Sequence, residues 1–422
     1  MPFSRANVLA LLVSAAFVPA AARAQTPLDQ KVESLQKELE RLRGEVSKLK
    51  AEQQRPDAST APERKAVRPA APEGESTSIF GYGEFNYNRY RDPQNTSQAD
   101  LRRFVTGFGH RFNDRLSFNS EIEIEHAVSS AGDSGEVEVE QAFLDYAFSD
   151  AVNVKGGLFL IPLGILNETH EPPTYYGVER NEVETRIIPS TWRELGFGVH
   201  GRTEAWFRYD VGLTTGFNSG KLDDPSTGIR SAHQEGQLAA ARDLSVYGAL
   251  NYERPGLLLG GGVFTGNTGQ DGQSDPALKG VAARLTLWDV HAKYVVNALE
   301  LQALYAAGTL GDADRLNTVT AAAATPFAAP KSLKGWYAQA AYHAYRRGDL
   351  DVAPFARIER FEIRQQEDAS LGLFQDPNNL ERVRTIGVNV KVHPQVVIKT
   401  DFQRYSTDHA KDRFNVGLGY LF

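Results

Sequence analysis

The chain has 422 residues, no cysteine and a formal charge of −7. Without cysteine there are no disulfides, no thiolate metal site and no cysteine nucleophile, and the acidic balance gives no reason to expect nucleic acid as a partner. The length suits two or three soluble domains or one large barrel, and the slightly polar mean hydropathy permits a membrane barrel, in which only alternate strand residues meet lipid.

The first 24 residues have the layout of an export leader. Arg5 supplies a positive start, Val8 to Val18 an apolar stretch, and Ala22-Arg23-Ala24 a small-residue cleavage site before Gln25. The apolar stretch is shorter than the ~20 residues a spanning helix needs, and no later stretch is long and apolar enough. If the mature protein sits in a membrane, it does so as a barrel.

Residues 25–50 carry Leu28, Val32, Leu35, Leu39, Leu42, Val46 and Leu49 at alternating spacings of four and three, the a/d seam of a coiled coil. Gly44 weakens the helix by about 1 kcal/mol, so the segment is expected to depend on partner helices. The alternative is a single amphipathic helix on another surface. Residues 51–76, with Pro56, Pro62, Pro69 and Pro72, read as an extended linker unable to bury a core.

Residues 77–422 are a succession of alternating segments. In Leu116 to Glu125, Leu116, Phe118, Ile122 and Ile124 share one face, opposite Ser117, Asn119, Glu121, Glu123 and Glu125. Later, Ile386, Val388, Val390 and Val392 oppose Thr385, Gly387, Asn389 and Lys391, and Ala205, Phe207, Tyr209 and Val211 oppose Trp206, Arg208 and Asp210. The rule predicts strands near Ile79 to Tyr90, Leu101 to Phe112, Leu116 to Ala127, Glu136 to Phe148, Val152 to Ile161, Arg193 to Gly201, Glu204 to Phe217 and Ala240 to Tyr252. It predicts eight more near Leu257 to Asn267, Gly280 to Val296, Leu299 to Thr309, Lys334 to Arg346, Leu350 to Ile363, Glu381 to His393, Val396 to Ser406 and Asp412 to Phe422.

The fold class expected is therefore all-β, a transmembrane antiparallel β-barrel of about 16 strands with an N-terminal α-helical coiled coil. Short connectors such as Asn113-Asp114, Asn297-Ala298 and Arg347-Gly348-Asp349 alternate with long ones such as Asn218 to Gln237, Leu310 to Leu333 and Ile363 to Leu380. The short side is expected to be periplasmic, with both termini on it. Phe80, Tyr82, Tyr90, Phe148, Trp288, Trp336, Tyr345 and Tyr420 sit near strand ends, as interfacial girdles require. In the last strand Phe414, Val416, Leu418, Tyr420 and Phe422 face lipid, and Asn415, Gly417 and Gly419 face inward. Phe422 then reads as a signal to the barrel-assembly machinery.

The third long connection, Pro162 to Trp192, is the most distinctive irregular stretch, and a loop of that length in a compact protein is usually functional. Three segments, Ile79 to Glu84, Gly135 to Phe143 and His-Glu-Pro-Pro-Thr-Tyr-Tyr-Gly-Val-Glu-Arg at His170 to Arg180, resemble the phosphate-selective porin O/P family. The resemblance implies a trimeric channel in the bacterial outer membrane for small, often anionic solutes. It further implies a third loop folded inward, arginines and lysines in the lumen and, in some relatives, a periplasmic coiled coil.

Strand parity makes Arg103, Arg111, Lys155, Arg208, Arg284, Arg357, Lys391, Lys399 and Arg413 candidate lumen cations, with Arg102 and Arg103 as a guanidinium pair for an oxyanion. Glu121, Glu123, Glu125, Asp145, Asp210, Glu359 and Asp401 face inward on the same basis. The candidate constriction residues are Glu168, His170, Glu171, Tyr175, Tyr176, Glu179, Arg180, Glu182, Arg186 and Arg193. With Glu184 and Glu194 added this set is net acidic, and the body has no lysine run for trapping phosphate. The expectation is a general porin with a mixed-charge constriction. The alternatives are a phosphate-specific channel or a barrel that only anchors the coiled coil. No nucleophile motif is present, and Glu168, His170 and Glu171 lack a metal-ligand spacing, so neither enzymatic activity nor a cofactor is expected.

Overall fold

The computed structural model describes residues 37, 38, 40, 41 and 75–422. The chain divides into two units, Met1–Asp57 and Ala58–Phe422. Lys37, Glu38, Glu40 and Arg41 are helical and exposed; otherwise the leader, the heptad seam and the linker up to residue 74 lie outside the described residues, and Ser76, expected to end the linker, already opens the first strand.

From Ser76 the chain is an antiparallel meander closed on itself. Its strands are β1 (Ser76–Tyr90), β2 (Gln98–Arg111), β3 (Leu116–Glu125), β4 (Val137–Ala147), β5 (Asn153–Leu160), β6 (Arg193–Arg202), β7 (Phe207–Thr214) and β8 (Ser245–Arg254). There follow β9 (Leu257–Gly266), β10 (Leu285–Val296), β11 (Leu299–Leu310), β12 (Pro330–Tyr342, resuming at Tyr345–Arg347), β13 (Leu350–Gln365), β14 (Leu380–His393), β15 (Val396–Tyr405) and β16 (Arg413–Leu421). The two pieces of β12 pair with the same neighbour, so the barrel has 16 strand positions.

Every strand pairs with its sequence neighbours, and β1 also pairs with β16 from Tyr82↔Leu421 to Tyr90↔Arg413. Two further bonds, Gly81 N to Phe422 O at 3.0 Å and Phe422 N to Gly81 O at 2.8 Å, complete the seam. No strand edge is left open, which a lipid-embedded sheet demands because the hydrocarbon offers no hydrogen-bond partner.

The connections alternate strictly. Those after β2, β4, β6, β8, β10, β12 and β14 are short, and those between the remaining neighbours are long, the longest spanning residues 161–192. The outward face is an apolar band that includes Phe197, Leu250, Val290 and Ile386, all exposed, with Phe148, Trp288, Trp336 and Tyr345 among its aromatic members. Two expectations need correction. Trp206 lies in the turn after β6 at positive φ, not on a strand, and Tyr82 is buried and points inward, as do Phe80 and Tyr90 on the same parity of β1, so none of the three is part of a girdle.

The lumen wall has two unlike halves. Along β9–β13 Phe264, Leu285, Leu287, Leu304, Ala306, Leu333, Phe361 and Ile363 form a buried apolar group, beside polar residues such as Asp289 and His291. From Arg357 and Glu359 of β13 around through β3 the inward residues are polar, including Asn389, Lys399, Asp401, Asn415, Glu84, Asn86, Asn88, Arg103, Glu121 and Glu123. An apolar inner face needs an apolar cover. The long third loop supplies it.

Candidate functional site

Loop three leaves the wall at Ile161 and returns at Trp192, and Asn167 clamps the two ends together. Its Nδ2 donates to Ile161 O at 2.7 Å and Trp192 O at 2.8 Å, while its Oδ1 accepts from Trp192 N at 2.7 Å. Ile161, Leu163, Val183, Ile187, Ile188 and Trp192 then pack against the apolar wall. The Trp192 ring meets Phe264 at 4.5 Å and Phe217 at 5.1 Å between centroids. Within this lobe a short helix, α1 (Val183–Arg186), places the buried Glu184 to accept from Ile165 N and Leu166 N, both at 2.6 Å, and from the Tyr337 hydroxyl at 2.9 Å.

The middle of the loop crosses to the polar wall. One 3-10 turn, Pro172–Thr174, carries proline at its start, where a missing N–H costs nothing. Beyond it the backbone is irregular, so its buried polar groups need side-chain partners. The wall provides them. Asn389 donates to Tyr175 O at 3.2 Å, Arg357 to Tyr176 O at 3.0 Å and Lys399 to Gly177 O at 2.9 Å, while Asp401 accepts from Val178 N and Glu359 from Glu182 N, both at 2.6 Å.

Two glycines of the closing strand allow this approach. A Cβ on Gly419 would lie 2.1 Å from Pro172 Cβ, and one on Gly417 would lie 3.0 Å from Val178 Cγ1. The small inward residues of β16 are the seat of the loop.

Most candidate wall cations are already engaged. Arg103 lies 2.9, 3.1 and 3.6 Å from Glu84, Glu123 and Glu125. Lys155 Nζ is 2.5 Å from Asp210, Arg208 reaches Glu253 at 2.7 Å and Glu168 at 3.0 Å, and Arg357 reaches Glu359 at 2.8 Å. Lys399 sits 3.5 Å over the Tyr175 ring, whose hydroxyl donates to Glu84 at 2.9 Å. Arg102 is the extra residue of a β-bulge in β2, half-exposed and 3.8 Å from Asp100. Arg111 closes β2 at the short-turn rim, remote from the loop. Arg284 is a correction: it is exposed, on the outward parity of Thr286 and Trp288, and does not line the lumen.

Of the loop candidates, Glu168 meets Arg208, and Tyr176 places its hydroxyl 3.3 Å from His343 Nε2. Glu179 accepts from Asn88 at 2.9 Å and Asn86 at 3.3 Å. Glu182 accepts from Arg186 at 2.6 Å and from the Tyr405 hydroxyl at 2.7 Å. His170 and Glu171 are buried, and Arg180 Nη2 donates to His170 O at 3.5 Å. Arg193 is a second correction. It opens β6 and belongs to the wall, where it pairs with Glu138 and, at 3.5 Å, with Glu235.

Burial alone raises the Glu168, Glu179 and Glu182 carboxyls, but their cationic and hydrogen-bonding neighbours outweigh it and hold all three below the usual range. The loop therefore presents fixed negative as well as positive charge.

Several site residues escaped the sequence reading. Glu84, Asn86 and Asn88 alternate on β1 and were within reach of the parity rule. Glu140 was not, because it is the extra residue of a bulge in β4 opposite Glu121 and Ile122, which turns it inward beside Gln141. Arg230 comes from the loop after β7, where there is no parity to read.

A closed 16-strand barrel with an outward apolar band and a loop drawn across its lumen defines an outer-membrane porin. The chain belongs to the phosphate-selective porin O and P family, whose model matches residues 79–347. An uncharacterized protein of Aquifex aeolicus (strain VF5) is 32% identical over 358 residues, covering 82% of this chain and 80% of the relative. Among solved structures, Salmonella typhi OmpF in complex with daunomycin aligns with a TM-score of 0.56 at 13% identity over 83% of this chain and 98% of its own. An anion-selective porin from Comamonas acidovorans aligns at 0.51 and 11% identity over 82% and 100%. The trimer form of OmpT from Vibrio cholerae aligns at 0.51 and 10% identity over 83% and 100%. At these identities the structural likenesses speak for the fold. Family and fold together make the chain a bacterial outer-membrane channel for small solutes and point away from an enzyme.

Proposed function

We propose that this porin is a mixed-charge diffusion channel with a modest preference for anions. The supporting observation is that Arg180, Arg230 and Arg413 have no carboxylate within ion-pair distance among the described residues, whereas Arg103, Lys155, Arg208 and Arg357 each have one. Arg413 opens β16 at its long-loop end, and Arg230 lies in the long loop after β7, within electrostatic reach of Arg180. Unneutralised guanidiniums lower the barrier for a passing anion, and Glu179 and Glu182 beside them moderate the effect. Reversal potentials in a potassium chloride gradient test this. Wild type should be anion-selective, and R180Q/R230Q/R413Q should shift toward cations; cation selectivity in wild type would overturn the reading. A phosphate-specific channel is less well supported because Lys155 and Lys399 are both tied to partners, and block of chloride current by micromolar phosphate would reverse that preference.

The same reading has the chain assemble as a homotrimer, with the heptads of Leu28 to Leu49 as a periplasmic coiled coil and Phe422 as the signal to the assembly machinery. Both ends of the barrel on the short-turn rim support it. Removing residues 25–50 should weaken the cross-linked trimer without changing single-pore conductance, and removing Phe422 should lower insertion without changing selectivity.

A further inference from the structure

Beneath the crossing segment, His170 of the loop meets two carboxylates of the wall, Glu121 of β3 and Glu140 of β4. We propose that these three residues form a binding site for a divalent cation of the zinc type, which clasps loop three to β3 and β4, a few strands round the wall from its seat on β16. The potential ligand atoms lie within 4.8 Å of one another, and all three side chains are buried, His170 and Glu140 at 0% exposure and Glu121 at 3%. They come from three separate elements, so one ion would cross-link the constriction to two strands.

The hydrogen bond at Nδ1 fixes the tautomer of His170. Its Nδ1 is 3.0 Å from Asn167 O, and a carbonyl can only accept, so Nδ1 bears the hydrogen. Nε2 is then the ligand-competent nitrogen, and it lies 2.8 Å from Glu140 Oε1, a buried oxygen that accepts no hydrogen bond from a donor among the described residues. On a neutral imidazole two lone pairs would meet there. A positive charge has to lie between them, and it is either a second proton or a metal ion. A proton would serve Glu140 alone, whereas a cation would also draw on Glu121, the third donor in range.

The surroundings are those of a held ligand set. An imidazole N–H given to a backbone carbonyl is a common outer partner of metal-bound histidine. Gln141 Nε2 donates to Glu121 Oε2 at 2.8 Å and the Tyr82 hydroxyl to Glu140 Oε2 at 3.3 Å, so each carboxylate is oriented from behind. The Tyr82 ring stands edge-on to the imidazole at 5.6 Å. Arg103, the nearby wall cation, has its charge met by Glu84, Glu123 and Glu125. One imidazole with two carboxylates suits Zn2+, while Mg2+ and Ca2+ favour all-oxygen shells.

The test uses the full-length protein in detergent, stripped with EDTA, desalted and titrated with Zn2+ alone. One zinc per chain should be retained at micromolar metal, unaffected by excess Mg2+, and the zinc absorption edge should show one nitrogen ligand with the remainder oxygen. H170Q and E140Q should each weaken binding by at least about tenfold, with barrel integrity read from heat-dependent gel mobility. Failure of wild type to hold zinc, a multi-histidine edge spectrum, or binding unchanged in a folded H170Q barrel would overturn the proposal and leave a protonated His170–Glu140 pair as the contact. The wild-type measurements decide the matter even if a variant does not fold.

Discussion

The two halves of the lumen hold the same loop by different physics. Against β9–β13 and Phe217 of the loop after β7 the contact is close-packed and apolar, built on Trp192, Phe217, Phe264, Ile187 and Leu333. On the other side it is a set of directed bonds, in which Arg357 and Glu359 of β13, Asn389 of β14 and Lys399 and Asp401 of β15 each match one backbone group of the loop. Apolar packing is non-directional and sets where the lobe sits. Matched hydrogen bonds fix the path of the crossing segment, because a buried backbone group left unpaired costs about 1–3 kcal/mol. Anchoring and shaping of the constriction are thereby divided between two walls.

Substitutions on the two sides should therefore fail differently. The largest effect should come from Trp192→Ala, which removes a fully buried ring from the apolar wall and costs about 3–5 kcal/mol. The expected result is a lower denaturation midpoint and a noisier, larger conductance, and unchanged current noise would break the assignment of anchoring to this side. Arg103→Gln should follow, at up to about 3–5 kcal/mol, because it strands the buried Glu84 and Glu123 without their cation. Here the reversal potential should move toward cation selectivity while the loop remains docked.

Gly419→Ala comes next, at about 1–3 kcal/mol, since its new methyl would overlap Pro172. Only the crossing segment should shift, changing conductance without a change in the environment of Trp192. If Trp192 also responded, the two walls would not act separately.

The smallest effect is a pH response on the apolar side. His233, in the loop after β7, stacks on Trp192 at 6.2 Å, and burial pushes its imidazole down to about 4 against the opposing pull of Glu235. Burial alone would raise Glu235, but His233, Arg193 and Arg230 hold it at about 2. An undocked His233 takes up a proton that the docked one refuses, so docking weakens as pH falls from about 6.5 toward 4. Glu235 adds a second loss from about 4.5 toward 2, as its docked, ionised form is forced to protonate. Emission from Trp192, in a chain whose other tryptophans are phenylalanine, should change over both windows, and His233→Gln should abolish the upper one.

The amino-acid sequence by itself determined the barrel. Period-two alternation in segments such as Leu116–Glu125 and Arg413–Leu421, short turns alternating with long loops, and an even strand number each follow from local rules that lipid enforces on one face. It also singled out the loop between Ile161 and Trp192 and most of its polar residues. Only the tertiary structure decided what those residues touch. Parity gives a face but not a partner, so Arg103 and Lys399 read as open cations until the fold set Glu123 and Gly177 O against them. Bulges at Arg102 and Glu140 shift the alternation, and a parity count assigned Arg284 to a lumen it does not face. The meeting of His170 with Glu121 and Glu140 depends on a loop crossing a barrel, a contact between distant parts of the chain that no local pattern encodes.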